Sequence, residues 1–285
     1  MVHRMRTVVS WGGATCAMIL ASGAVNASLI VIPDSDLHSS PGVYTAGGYY
    51  TDTLGANIVT TGGAHAANVG ETDGRNDDGY MALSLGFDVS FFGNTYDTLY
   101  INNNGNVSFG SGISSYVTSG PTGADAPVIS PFFSDVDTTN PSSGVVHYDL
   151  SSNQLIVTWD NVGYYDAHAD ETDSYQLVLR GTNYNVPVGE GSIGFFYEDM
   201  GWESAPDSNS LYAATGFGDG LNSGEVLQGS DSAGLDSIVQ NKYIWFDPNL
   251  NVVPPPSNVP EPDSLSLFGI GLLAAALVKL QKRKI

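Results

Sequence analysis

The sequence predicts an all-β, sandwich-like domain of short antiparallel strands, flanked by an N-terminal signal helix and a C-terminal hydrophobic helix. Three observations lead there. Met81, Leu83, Leu85, Phe87, Val89 and Phe91 alternate with Ala82, Ser84, Gly86, Asp88 and Ser90, which is the period of a half-buried strand. Short apolar runs then recur between Gly- and Asn-rich turns, the spacing of an all-β domain. No stretch between Ser28 and Asn258 sustains the 3.6-residue period of a helix.

The ends come off before any folding argument. Arg4 and Arg6 precede an uncharged, mostly apolar run from Thr7 to Val25, and Val25-Asn26-Ala27 fits a small-x-Ala cleavage site. Residues 1–27 are therefore expected to be a secretory signal peptide cut after Ala27. Cys16, the single cysteine, leaves with it. That excludes a thiol nucleophile, a thiolate metal site and a disulfide framework, so stability must come from an apolar core.

Residues 28–70 are rich in Gly, Ala, Ser and Thr and are expected to supply one or two edge strands and a flexible stretch. The β domain itself is expected over 71–247. After the 81–91 strand, Gly93-Asn94 marks its end, Thr95–Ile101 the next strand, and Asn104-Gly105 a hairpin turn with φ > 0 at both positions. Asn106–Phe109 returns. Gly144–Leu150 and Gln154–Trp159 form a hairpin around Ser151-Ser152-Asn153, with Val146, Tyr148 and Leu150 facing the same way as Leu155, Val157 and Trp159. Further strands are expected at Ser174–Arg180, Ser192–Tyr197, Leu211–Thr215 and Tyr243–Phe246. Residues 248–258 hold Pro254-Pro255-Pro256 and read as a semi-rigid linker.

From Ser28 to Asn258, 28 acidic side chains face Arg75, Arg180 and Lys242, a formal balance of −25. Such a surface lacks the cations that displace counterions from phosphates, which excludes nucleic acid as a partner. It leaves many carboxylates for divalent cations.

Most chemical motifs fail on context. Gly189-Glu190-Gly191-Ser192-Ile193-Gly194 matches a dinucleotide loop by letters, but a strand pattern follows where that loop needs a helix. His147 and His168 read as surface histidines. Two acidic stretches remain: Glu71 to Gly79, and Asp135-Val136-Asp137. Asp73, Asp77, Asp78, Asp135 and Asp137 offer the oxygen ligands that Ca²⁺ takes, and the same residues also suit solvated turns that cap their own backbone. No cofactor is required; Ca²⁺ is the one candidate. Carboxylate pairs are too many for a glycosidase site to be picked from sequence.

Several segments together resemble the nidogen-like (NIDO) domain. They are Asn76-Asp77-Asp78-Gly79, the run Gly86 to Asn102 with Asn104-Gly105, Ala126 to Asp137, Val157 to Tyr165, Phe196 to Asp199 with Trp202, and Ala214 to Phe217. The resemblance implies an extracellular-matrix or cell-surface protein linked to cell–matrix adhesion, with no catalytic residue to carry over. Residues 259–285 resemble a PEP-CTERM sorting signal: Val259-Pro260-Glu261-Pro262, an apolar segment, then Lys282-Arg283-Lys284. That resemblance implies an exosortase as processing partner, transient insertion into the inner membrane of a Gram-negative bacterium, and delivery to the cell surface or matrix. Ser264 to Val278 is 15 uncharged residues, roughly 22 Å of helix against about 30 Å of hydrocarbon. It is short for a permanent span.

The expected function is therefore a non-enzymatic surface or matrix protein that contacts extracellular polysaccharide, matrix or other surface proteins. The alternative is a carbohydrate-active protein, either lectin-like or a glycoside hydrolase, with Tyr164-Tyr165 as the ring platform.

Overall fold

The computed structural model describes residues 29–60, 73–116, 120–205 and 211–256. The signal peptide with Ala27, and the tail from Val259 to Ile285, lie outside the described residues. No helix of the described residues is long and apolar enough to cross a membrane.

Two seven-stranded sheets form the domain. The first runs β1 (Leu29–Ile32), β13 (Gly224–Leu227), β12 (Ala214–Asp219), β7 (Pro127–Phe133), β6 (Asn106–Ser108), β5 (Asn94–Asn102), β4 (Tyr80–Phe91). The second runs β2 (His38–Ser39), β14 (Lys242–Phe246), β11 (Ile193–Met200), β10 (His168–Arg180), β9 (Gln154–Tyr164), β8 (Val146–Leu150), β3 (Asn57–Ile58). Every named pairing is antiparallel except β1 with β13. A short α-helix, α1 (Leu235–Val239), precedes β14.

Alternation puts one side of each strand into a shared core. Leu85, Phe87, Val89, Phe91, Ile101 and Ile129 of the first sheet pack with Trp159, Tyr175, Leu177 and Phe195 of the second. This is a β-sandwich, as expected. Val146 faces Trp159, Tyr148 faces Val157 and Leu150 faces Leu155, so the hairpin register read from the sequence holds. The opposite faces of β9, β10, β11 and β14 carry Ile156, Val178, Phe196, Tyr243 and Trp245, and Tyr44, Tyr50 and Val253 cover them. The N-terminal segment thus does more than the expected edge pairing. Its three short strands edge both sheets, and its tyrosines roof the second.

Two turns differ from expectation. Phe91 pairs with Asn94, so the β4–β5 turn is Phe92-Gly93, both at positive φ (45° and 74°), one residue earlier than expected. Asn102 pairs with Asn106, leaving a three-residue loop in which only Gly105 has positive φ, at 73°. That is a turn followed by a left-handed glycine rather than a two-residue primed turn. Space also demands that glycine: a Cβ at 105 would lie 1.8 Å from the Phe132 carbonyl oxygen and 2.6 Å from the Tyr175 hydroxyl.

Three strands lie beyond the local patterns. β7 contains Pro127 and Pro131 in an interior strand, where proline is unusual. The register with β12 shifts there, Ala214 facing Phe133 but Gly216 facing Ser130. Pro131 sits in this irregularity, and its carbonyl accepts from the Tyr197 hydroxyl at 2.7 Å and from Thr215 Oγ1 at 2.6 Å. β12 begins three residues later than the expected Leu211–Thr215, because its Ala-Thr-Gly-Phe-Gly-Asp sequence carries little apolar signal. β13 is similarly short. The glycine-rich stretch 189–194 is a turn leading into β11, with no helix after it.

Candidate metal centre

Asp77 and Asp78 lie just before β4, and Asp135 just after β7. An antiparallel bridge between Asp77 and Asp137 draws these two ends together at one corner of the first sheet. There one ligand oxygen from each of Asp77, Asp78 and Asp135 lies within 4.8 Å of the others. Asp135 is 7% exposed, and its Oδ2 has no hydrogen-bond partner. Asp77 and Asp78 are half-buried.

An asparagine turn builds this corner. The Asn104 amide donates to Asp78 Oδ1 at 2.6 Å, and its Oδ1 accepts from the Val136 N–H at 3.0 Å. Asn103 donates to the carbonyls of Asn76 and Val136. Asn76 and Thr138 bond reciprocally, Asn76 N–H to Thr138 Oγ1 at 2.8 Å and Thr138 N–H to the Asn76 carbonyl at 2.9 Å. Asn102 holds the other side of the turn, donating to Asn106 and Ser108 and accepting from the Ile113 N–H. Asp78 itself has φ of 58°, a left-handed conformation that Asp and Asn tolerate best among side-chain-bearing residues.

The electrostatics follow from burial. Burial, with Asp137 and Asp78 nearby, pushes Asp77 up to about 7. Burial, with Asp78, Asp77 and Asp137, pushes Asp135 up to about 7 as well. Each carboxylate is hard to charge because it is dry and beside its own kind. Both described guanidinium groups are committed elsewhere. Arg75, close in sequence, spends its guanidinium on the carbonyls of Thr138, Asn140, Pro141 and Ser143. The guanidinium of Arg180 pairs with Glu190.

The five aspartates singled out from the sequence therefore divide. Asp77, Asp78 and Asp135 converge. Asp137 adjoins them but is committed: Oδ1 accepts from the Thr139 N–H at 2.8 Å and from its hydroxyl, and Oδ2 from the Ala167 N–H at 2.8 Å. Asp73 is exposed and caps its own turn, accepting from the Arg75 N–H at 3.1 Å. Sequence reasoning missed Asn103 and Asn104 as the frame of the site. Their signal was a run of polar residues, Asn102 to Asn106, inside a strand hairpin; Asn102, Asn103, Asn104 and Asn106 are all buried.

No histidine is among the converging ligands of the described residues. His147 is half-buried rather than on the surface, and burial lowers its basicity against the pull of Asp160. His168 stacks on Tyr164 with ring centroids 4.9 Å apart. Tyr164 is 7% exposed and Tyr165 is 40% exposed, so the pair offers one open ring rather than two.

Residues 258–284 match the PEP-CTERM protein-sorting motif. Nidogen of Drosophila melanogaster is 27% identical over 153 residues, covering 45% of this chain and 11% of the Drosophila protein. The chain therefore spans about a tenth of that curated relative's length. No solved structure matches at significance. The tail motif and the nidogen-like domain together mark an exported surface protein that carries an exosortase sorting signal. The family model described as NIDO related matches residues 47–252, most of the chain and nearly all of both sheets, and the chain belongs to the NIDO-related family.

Proposed function

We propose that the chain is a non-enzymatic cell-surface or matrix protein that holds extracellular polysaccharide, matrix or neighbouring surface proteins at the cell that exports it. The observation that carries this reading is the union, in one chain, of a NIDO-related domain over 47–252 with a sorting motif over 258–284. The tail delivers the domain to the outside; the domain supplies a rigid body with polar loops at its ends, the usual contact elements of a β-sandwich. In this reading the tail inserts transiently in the inner membrane of a Gram-negative cell, is processed by exosortase near Val259-Pro260-Glu261-Pro262, and leaves the sandwich in the exopolysaccharide layer.

Two features support binding over sugar chemistry. Tyr164 is packed against His168 and Trp202, which removes half of the ring platform a sugar-active site would use. Of the three converging carboxylates, Asp78 is held by the Asn104 amide, and none of the three lines the cavity bounded by Ser84, Asp88, Asp97 and Asn153.

A deletion strain tests the proposal. Cells lacking the protein should adhere less and shed more exopolysaccharide, and purified protein should bind that polymer without releasing reducing sugar. Release of reducing sugar by wild-type protein would replace the proposal with the hydrolase. Unchanged adhesion together with no polymer binding would remove it.

A further inference from the structure

We propose that Asp77, Asp78 and Asp135 form a calcium site at the corner where β4 begins and β7 ends. Nothing in the sorting or adhesion reading requires it.

The geometry fits one ion. Oxygens bound to the same Ca²⁺ sit about 2.3–2.6 Å from it, so two of them are at most about 5 Å apart. One oxygen from each of the three carboxylates meets that limit, since all lie within 4.8 Å of one another. The donors are all hard oxygens, with no histidine or cysteine among them, which selects an alkaline-earth cation over zinc or copper.

The second observation is the orphaned oxygen. Asp135 is 7% exposed and its Oδ2 has no donor, although donors are plentiful around it. Asn104 serves Asp78, Thr139 and Ala167 serve Asp137, and Asn103 serves two carbonyls. A buried carboxylate oxygen left alone costs free energy unless something positive meets it, and the Oδ1 of buried Asn76, next to Asp77, is likewise without a donor. Among the described residues, both guanidinium groups are committed elsewhere: Arg75 is held by four carbonyls and Arg180 pairs with Glu190. A bound cation would supply that charge.

The site is also preorganised. Asp78 is fixed by the Asn104 amide, Asp135 follows directly on a buried strand, and the asparagine turn is tied across the sandwich by the Trp159 indole. Ligands on rigid elements bind with little ordering cost. Calcium accepts irregular coordination and completes its six to eight oxygens with water, whereas magnesium demands a near-ideal octahedron. Three carboxylates from two chain segments suit the former.

The test uses the full-length chain stripped with EDTA and titrated with CaCl₂ in a calorimeter. One ion per chain should bind with a Kd on the order of 0.1–1 mM, the range of extracellular calcium modules. Calcium should raise the thermal midpoint, and EDTA should reverse the rise. Asp135→Asn and Asp78→Asn should each weaken binding at least about tenfold, while Asp73→Asn leaves it unchanged. Asn tolerates the left-handed backbone at 78, so that variant keeps the test open if the buried one fails to fold. Absence of saturable binding up to about 10 mM would overturn the proposal. So would affinity retained in both variants, or Mg²⁺ bound as tightly as Ca²⁺.

Discussion

The Trp159 indole Nε1 donates to the Asn103 carbonyl at 3.0 Å, and this bond crosses the sandwich. Trp159 belongs to β9 of the second sheet; Asn103 belongs to the β5–β6 turn of the first. The same turn carries Asn104, which holds Asp78. A fully buried aromatic thus pins the frame of the metal corner from the opposite layer.

Replacing Trp159 by Phe should cost roughly 2–3 kcal/mol of stability, because the buried Asn103 carbonyl loses one of its two donors, keeping the Gly105 N–H at 2.8 Å, and a void opens beside Tyr175. Urea denaturation measures it. A loss below about 0.5 kcal/mol would mean the bond contributes nothing.

Gly105→Ala should cost at least about 2 kcal/mol, from the left-handed backbone and the collision with the Phe132 carbonyl. Gly93→Ala, with nothing within 4 Å of its Cβ position, should cost only the backbone preference, about 1 kcal/mol. Comparing the two by thermal unfolding separates close approach from conformation.

Asp173 is fully buried. Its Oδ1 accepts from the Gly201 and Trp202 N–H groups at 2.8 and 3.1 Å, and its Oδ2 is without a partner. Burial holds its carboxyl well above the usual carboxylate range, against those two bonds. The folded state therefore prefers the proton. The contribution of Asp173 is fully present below the unfolded value of 3.8 and is lost as pH rises from there through the folded value. Asp173→Asn removes this titration. The stability difference, variant minus wild type, should grow as pH rises from about 4 toward neutral, whatever its starting offset. A difference independent of pH between about 4 and 8 would contradict the shift.

The sorting motif predicts a mass. Surface protein from wild-type cells should lack Lys282-Arg283-Lys284, and cells without exosortase should retain a longer form. Intact mass spectrometry distinguishes them; a mature protein that keeps the basic tip would make the tail a plain anchor.

Much of the fold was legible because strand alternation is local. The 81–91 strand, the 146–159 hairpin and the buried Trp159 all follow from side chains two residues apart sharing a face. β7 was not read as a strand from periodicity, because its prolines argue against an interior position; tertiary bonds to the Pro131 carbonyl and a register shift accommodate them. The β4–β5 turn lies one residue earlier than expected and the β5–β6 loop is one residue longer, because the pairing of Phe91 with Asn94 and of Asn102 with Asn106 decides the loops.

The site divides along the same line. That 73–79 and 135–137 are oxygen-rich turns is written in their composition, and so is the acidity of the chain. That Asp77 and Asp78 meet Asp135, 57 positions further on from Asp78, depends on β4, β5, β6 and β7 lying side by side. That Asp73 and Asp137 are used up elsewhere depends on which backbone N–H groups arrive beside them. Sequence by itself determined strands, faces, charge and address, since each is a property of neighbours along the chain. Only the tertiary structure decided which carboxylates share a corner and which oxygens are left without a donor, because strand order and burial are properties of residues far apart.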